Sequence, residues 1–182
     1  GLDIEDKLTL LKKIENFDLN NIFFISKIDL INEIESNSLV EKYFIFKRYP
    51  SSIDINIEKT KFLAKINKNG QVFYLGSNRK FTKNDFSNNQ LPYIFGSPEV
   101  IEFFDIKEVI DKSKITYKEI KNLYFYPSKR WDIELKNNIV IKLSSNFTKD
   151  TVNFALDFLQ NKTSQNIEFV DVRIKNQIIT ND

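Results

Sequence analysis

The segment RWDIELKNNIVIKL, residues 130–143, alternates apolar and polar side chains on either side of a short polar stretch. Two such runs so close together predict a β-hairpin. A three-residue loop ending at Asn138 sets Ile133 against Ile141, whereas a two-residue loop would set Ile133 against the charged Lys142. The longer loop is therefore expected, with its last residue in the left-handed backbone region. The polar residues of the two strands are then predicted on the solvent side: Asp132, Glu134 and Lys142.

The closing segment, IEFVDVRIKNQIITND at residues 167–182, shows the same alternation. As one extended strand it directs apolar side chains to one face and charged side chains to the other. The apolar set is Val170, Val172 and Ile174, and the charged set is Asp171, Arg173 and Lys175. Because no segment follows to pair with it, the strand is expected to leave one edge of backbone N–H and C=O groups open. Lys175-Asn176 either continues this strand or bulges it.

Four segments carry apolar residues at helical spacing, which predicts four α-helices. The first covers residues 5–16, and the second begins after Ser26, whose hydroxyl can accept a hydrogen bond from the first turn. Ser97 followed by Pro98 predicts the start of the third, and the fourth follows Thr148. Strand-like alternation occurs in VEKYFIFKR, SIDINIEK, FLAKI, QVFYL and NLYFYP.

The order of these elements divides the chain near Thr60. Residues 1–60 read as helix, helix, strand, strand, and strands dominate from Lys61 onward, with Asn69-Gly70 predicting a tight turn. The stretch SNRKFTKNDFSNNQLPYIFG, residues 77–96, is expected to form a loop before the third helix. The chain is therefore predicted to be α+β, with a mainly antiparallel second part.

Composition argues against most enzyme classes. The chain has no cysteine and no histidine, which removes thiolate zinc sites, cysteine nucleophiles and the commonest general base. Its four glycines form no phosphate-binding loop, so no catalytic residue, metal site or cofactor is predicted. A hydrolase that uses Asp or Glu stays open and would require two buried carboxylates with raised pKa values in a cleft.

Charge and hydropathy limit the choice of partner. The 27 basic and 25 acidic residues are interspersed and give a net charge of +2, which does not favour binding to nucleic acid or to a membrane surface. No run of about 18 apolar residues occurs, so any membrane anchor is expected upstream of Gly1.

Five segments in a fixed order carry a family resemblance. They are FIFKRYPSSIDINIEKTKFLAKI, NGQVFYLGSN, LPYIFG, KRWDIELKNNIVIKL and FVDVR. Together they resemble the FtsQ/DivIB family of bacterial cell-division proteins, from about Leu2 to Thr180. The resemblance implies a POTRA domain of β-α-α-β-β order at residues 1–60, with its first strand upstream of Gly1 or only begun by Gly1-Leu2. It also implies a β-domain at residues 61–182.

The resemblance further implies a non-enzymatic divisome scaffold that links early and late division proteins. Such a protein has one transmembrane helix upstream of this region, lies in the periplasm at the inner membrane and acts at the division septum. It binds FtsB, in complex with FtsL, by β-strand addition to its last strand. The POTRA domain is linked to recruitment by other divisome proteins.

Residue by residue, the resemblance maps partner contacts onto the end of the chain. The partner-binding strand corresponds to Arg173, Ile174, Lys175, Asn176, Gln177, Ile178 and Ile179. Ile174 matches a position where an aromatic side chain contacts FtsB, and Asn176 matches a small polar contact. Arg130 resembles a basic residue that pairs with an acidic group of FtsB. The alternative interpretation is a POTRA-type chaperone module of outer-membrane protein assembly or secretion.

Overall fold

The structure, a computed structural model, describes residues 1–15, 26–50, 52–83, 90–161 and 167–181. Residue 16 of the first predicted helix and residues 84–89 of the predicted loop lie outside these ranges. The helices are α1 (Ile4–Glu15), α2 (Lys27–Ser36), α3 (Val100–Lys112) and α4 (Lys149–Asn161). The strands are β1 (Val40–Arg48), β2 (Ser52–Lys59), β3 (Phe62–Lys68), β4 (Gln71–Gly76), β5 (Phe81–Thr82), β6 (Tyr93–Phe95), β7 (Ile120–Phe125), β8 (Trp131–Leu135), β9 (Val140–Lys142), β10 (Phe169–Asp171) and β11 (Ile179–Thr180). The predicted α+β class is confirmed.

The chain forms two compact units that alternate along the sequence. The first consists of Gly1–Leu63 with Phe73–Asn84, and the second of Ala64–Val72 with Asp85–Asp182. The sequence predicted one domain boundary after Thr60 and did not foresee this return of the chain to the first unit. Its assignment of residues 1–60 to a POTRA domain stays a prediction.

In the first unit, two helices pack on one face of the antiparallel β1–β2 pair. The core consists of Leu10, Ile14, Leu30, Ile34 and Val40, with half-buried residues from both strands packed against it. The backbone N–H of Asp29 donates to Ser26 Oγ at 3.3 Å, which confirms the predicted cap of α2. In α1, Leu10 and Ile14 are buried, whereas Leu8 and Leu11 are exposed.

In the second unit, the strands lie in the order β11-β10-β9-β8-β7-β6-β3. The pairs β9–β10, β6–β7 and β3–β6 are parallel, whereas β7–β8, β8–β9 and β10–β11 are antiparallel. One row of side chains across the sheet is buried and apolar: Ile94, Leu123, Ile133, Ile141 and Val170. The neighbouring row points to the opposite face and carries aromatic and charged residues: Phe95, Tyr124, Asp132, Lys142 and Asp171.

The predicted loop and the predicted start of α3 both need correction. Residues 77–96 contain β5 and β6, which are too short for an alternating pattern to be recognised. Helix α3 begins at Val100 rather than after Ser97, and Glu99 is its N-cap residue. The Glu102 carboxylate accepts a hydrogen bond from the Glu99 backbone N–H at 2.8 Å, and this bond caps the helix without Ser97.

The β8–β9 hairpin has the predicted register. Ile133 pairs with Ile141, the Leu135 N–H donates to the Ile139 carbonyl at 2.9 Å, and Asn138 has φ 67°. The predicted solvent exposure of its acidic residues is wrong, because Asp132 and Glu134 are buried.

The end of the chain does not form one long strand. Strand β10 stops at Asp171, and a turn follows in which Gln177 N–H donates to the Ile174 carbonyl at 3.2 Å and Asn176 has φ 60°. Strand β11 then returns antiparallel to β10. The prediction that β10 has no following segment to pair with is therefore wrong, and Asp171 is buried rather than solvated. Lys175-Asn176 neither continues the strand nor bulges it, because both residues lie in the turn.

No helix among the described residues has both the length and the apolar character needed to cross a bilayer.

Candidate functional site

The predicted partner residues converge on one end of the sheet in the second unit. Of the segment from Arg173 to Ile179, only the last residue belongs to a strand, and the others form the connection between β10 and β11. Ile174 is 57% exposed and Ile179 is 43% exposed, which is high for large apolar side chains. This C-terminal hairpin, β10 to β11, is the candidate site.

Backbone hydrogen bonds reveal which groups of the hairpin face outward. Val172 N–H donates to the Lys142 carbonyl at 3.0 Å. Val172 and every second residue before it therefore direct their backbone N–H and C=O groups to β9. Asp171 then directs its groups to β11, where Ile179 is its partner in register. Because backbone groups of successive strand residues point to opposite sides, Thr180 presents its N–H and C=O at the outer edge. Among the described residues no strand lies beyond β11.

The open edge is therefore at Thr180, a residue that the sequence did not predict. Its outward direction depends on the register of β11 against β10. That register depends on the turn at Asn176. Alternation of apolar and charged residues does not reveal this turn and instead predicts one continuous strand. Ile179, which was predicted, belongs to the same strand but directs its backbone groups inward.

A groove of about 710 Å³ lies beside the hairpin, between the turn and the start of α4. It is lined by Ser144, Asn146, Thr148, Asp150, Thr151, Phe154, Val172, Arg173, Ile174, Lys175 and Asn176. Four of the predicted partner residues are thus brought together with Phe154, which is 42% exposed. The sequence carries only a weak signal for Phe154, which lies off the apolar stripe of α4 formed at helical spacing by Val152, Ala155, Leu156 and Leu159.

Arg173 is fixed by Asp171. Its Nε lies 2.9 Å from both carboxylate oxygens, and its backbone N–H donates to Oδ1 at 3.1 Å. Burial raises the pKa of Asp171, but the hydrogen bonds and charge of Arg173 outweigh burial and lower this pKa below its usual value. The arginine therefore lies at the exit of β10, with its side chain still 44% exposed.

Arg130 lies on the same face of the sheet. Its guanidinium stacks on the Tyr126 ring at 4.1 Å, and Nη2 is 3.8 Å from Asp132 Oδ2. Burial raises the pKa of Asp132, while the charges of Arg130, Lys142 and Arg173 and a hydrogen bond from Tyr126 oppose the rise. The structure thus brings both predicted arginines close to one buried carboxylate.

The register explains this convergence. Asp132 on β8 pairs with Lys142 on β9, and Lys142 pairs with Asp171 on β10. These three residues, here called the charged row, alternate in sign across adjacent strands, which stabilises cross-strand neighbours. Lys142 Nζ also lies 3.7 Å from the centroid of the Phe169 ring.

The buried carboxylates do not form a hydrolytic pair. Glu134 accepts hydrogen bonds from Lys121 Nζ at 2.8 Å, Asn122 Nδ2 at 2.7 Å and Tyr124 Oη at 2.6 Å. Although burial raises its pKa, these bonds lower it overall. Of the three buried carboxylates in the described ranges, only Asp132 has a raised pKa. An acid pair with two raised pKa values, which the hydrolase alternative requires, is not present among them.

Comparisons with known proteins identify relatives. The family model described as "Cell division protein FtsQ/DivIB, C-terminal" matches residues 57–173. Cell division protein FtsQ of Rickettsia bellii (strain RML369-C) is 23% identical over 175 residues, which cover 94% of this chain and 66% of the relative. FtsQ of Rickettsia prowazekii (strain Madrid E) is 24% identical over 177 residues, with the same coverage.

A more distant match is cell division protein DivIB of Staphylococcus aureus (strain NCTC 8325 / PS 47). It is 26% identical over 112 residues, which cover 60% of this chain and 26% of the relative. The chain spans about two thirds of the length of the Rickettsia relatives, at 66% of each.

Proposed function

This chain belongs to the FtsQ/DivIB family of cell division proteins, and on that premise we propose that it is a non-enzymatic scaffold of the divisome. It binds FtsB, in complex with FtsL, and so links early and late division proteins. FtsB adds a β-strand to the outer edge of β11.

The outward N–H and C=O of Thr180 are the observation that carries this proposal. An exposed sheet edge accepts an extended peptide through main-chain hydrogen bonds, and neighbouring side chains then supply specificity. With only two residues in β11, the edge is short and resists promiscuous pairing. Exposed Ile179 lies next to it and can contact an apolar side chain of the added strand.

The groove beside the turn supports the same proposal. Ile174 and Phe154 both line this groove and expose apolar surface, so an apolar side chain of FtsB that flanks the added strand can pack against them. Arg173 and Lys175 give the turn a positive charge, which favours an acidic group on the partner. Arg130 serves the same purpose nearby.

The partner segment is consequently divided between two kinds of contact. Strand addition occurs at Thr180, whose backbone groups point outward, whereas residues 173–179 contact FtsB through their side chains. This differs from a continuous pairing along Arg173–Ile179, because Asn176 has φ 60° and a paired strand requires negative φ.

The wider role extends beyond this region. A transmembrane helix upstream of Gly1 anchors the whole protein in the inner membrane, and the region described here lies in the periplasm at the division septum. Residues 1–60 form a POTRA domain that contacts other divisome proteins.

Calorimetric titration with the periplasmic segments of cognate FtsB–FtsL tests the proposal. Thr180→Pro removes the outward N–H, and proline is tolerated where an edge-strand N–H faces solvent, so the fold is retained. Thr180→Val keeps the N–H and serves as the matched control. We expect wild type and Thr180→Val to bind alike, and Thr180→Pro to bind about tenfold more weakly or worse.

Two results would count against the proposal in different ways. If no variant binds FtsB–FtsL, the scaffold role is wrong. If Thr180→Pro binds as tightly as Thr180→Val, with an unchanged thermal unfolding transition, the partner binds elsewhere than at this edge.

A further inference from the structure

Two predicted partner contacts come from distant parts of the chain and share a neighbour. Arg130 precedes β8 and Arg173 follows β10, with β9 between these strands. Asp132 is 2% exposed and feels the positive charge of both arginines. Nothing in the sequence pattern or the family resemblance assigned a role to Asp132.

We propose that Asp132 is a positioning residue that couples Arg130 to Arg173, so that the two arginines engage acidic groups of the partner as one unit. This inference rests on the proposed function and adds to it the device that joins the two basic contacts.

The charged row supplies the physical connection. Asp132 pairs in register with Lys142, and Lys142 with Asp171, which holds Arg173 by two Nε contacts of 2.9 Å. Arg130, which precedes β8 by one residue, reaches Asp132 with its Nη2 at 3.8 Å from Oδ2. Because these charges lie in a partly desolvated layer, a change in one of them alters the potential at the others.

Arg130 is held without using all of its donors. Its Nε and Asp132 Oδ1 are buried, and neither has a hydrogen-bond partner among the described residues. Stacking on Tyr126 and attraction to Asp132 keep the guanidinium in place, while the part of the Arg130 side chain that is exposed, 25% of it, can still meet a carboxylate of the partner. Arg173, in contrast, is bound tightly to Asp171.

A shared carboxylate gives the coupling a definite sign. When Arg130 is removed, its charge no longer offsets that of Asp132, so the potential at Arg173 becomes more negative and holds Arg173 more firmly, away from the partner. The affinity lost when Arg130 is removed therefore already includes part of the contribution of Arg173, and the reverse also holds. The fold-loss in affinity of the double variant is then smaller than the product of the fold-losses of the two single variants.

A double-mutant cycle tests this coupling. The affinity for the FtsB–FtsL periplasmic segments is measured for wild type, Arg130→Ala, Arg173→Ala and the double variant, and again with Asp132→Asn in all four. In the set that keeps Asp132, we expect the fold-loss in affinity of the double variant to be smaller than the product of the two single fold-losses by about threefold or more. In the Asp132→Asn set the losses should multiply to within about twofold.

Glu108→Gln provides a control background. Glu108 also carries a carboxylate and pairs with Lys112 on the exposed side of α3, but it belongs to another element and lies outside the charged row. The coupling should persist in this background. If the losses multiply in the wild-type set, or if the coupling survives Asp132→Asn, Asp132 does not join the two arginines.

A second measurement needs no partner and separates this inference from the proposed function. NMR titration of the unliganded protein follows the Asp132 carboxyl in each single-arginine variant. Both substitutions remove a cation that lowers the Asp132 pKa, so both should raise it. An Asp132 pKa that is unchanged in Arg173→Ala would overturn the coupling, even if FtsB–FtsL binding is absent.

Discussion

Asp132 and Asp171 carry the same side chain and lie two strands apart on one face of the sheet, but their surroundings shift their pKa values in opposite directions. Burial dominates at Asp132 and raises its pKa, whereas Arg173 dominates at Asp171 and lowers its pKa. One carboxylate is thus bound firmly by its arginine, and the other is shared among several cations. This difference in pKa can be tested by substituting each aspartate separately and measuring the stability of the fold.

Isosteric amides at the two positions should have opposite effects on stability. A lowered pKa in the folded state stabilises the fold above the unfolded value of about 3.9, and this contribution is lost as the pH falls through the folded value. Asp171→Asn should therefore lower the free energy of unfolding at pH 7 by about 1–2 kcal/mol. The loss should shrink when the pH falls below about 4.

A pKa that is raised in the folded state has the opposite effect on stability. The stabilising contribution of Asp132 is present below its unfolded pKa and is lost as the pH rises through the folded value, so ionised Asp132 costs stability at pH 7. Asp132→Asn should accordingly leave the free energy of unfolding unchanged or raise it by up to about 1 kcal/mol. Urea denaturation at pH 7 and at pH 3.5 measures both variants. Equal destabilisation by the two amides at pH 7 would contradict this assignment.

The burial of these carboxylates shows where residue-level reasoning from sequence stops. Asp132, Glu134 and Asp171 alternate with apolar residues, and alternation correctly predicts that they point away from the apolar core. It cannot reveal that the side chains of neighbouring strands cover them. Lys121 and Tyr124 reach Glu134 from β7, and this contact depends on strand order rather than on local pattern.

At the scale of elements, the β8–β9 hairpin was predictable because two local constraints agree. The side-chain pattern permits only one loop length, and that loop requires a left-handed residue at a position that asparagine tolerates. Asn138→Ala should therefore lower the free energy of unfolding by about 1 kcal/mol, since alanine fits φ 67° poorly. Asn138→Gly should stay within about 0.5 kcal/mol of wild type.

Thermal or chemical unfolding of both Asn138 variants measures the effect. The glycine variant serves as the matched control because both substitutions remove the same bond from Lys121 Nζ to Asn138 Oδ1, 2.7 Å long. Alanine and glycine variants of equal stability would indicate that backbone conformation at this loop carries no cost.

The terminal hairpin and β6 were not predictable in the same way. Alternation in VDVRIK continues past the true end of β10, and the turn at Asn176 contains neither glycine nor proline to mark it. Strands β6 and β11 contain three and two residues, which is too few for a period of two to be recognised. Their formation depends on neighbouring strands that already provide backbone partners.

At the scale of the whole molecule, the family model covers the two units to different extents. The family model matches residues 57–173, which include most of the second unit. Of residues 1–60, it matches only residues 57–60, at the end of β2. Alignments to the Rickettsia relatives extend over 94% of the chain and so include the first unit. Order of segments, rather than any single motif, made the family recognisable from sequence.

The proposed FtsB site is likewise formed by features from several parts of the second unit. The open edge at Thr180, the groove beside α4 and the charged row meet at one end of the sheet, although their residues come from β8, β9, α4 and the C-terminal hairpin. The sequence predicted Arg130 and residues 173–179 from resemblance, but the turn, the outward backbone groups and the position of Asp132 required the three-dimensional arrangement.

Amide hydrogen exchange, followed by NMR in the free protein and in complex with the FtsB–FtsL periplasmic segments, tests whether FtsB adds a strand at Thr180. In the free protein, the outward Thr180 amide should exchange rapidly, whereas the amide of Asp171, which faces β11, should be protected. In the complex, the Thr180 amide should become strongly protected because it donates to the added strand. A complex in which Thr180 exchanges as rapidly as in the free protein would contradict strand addition at this edge.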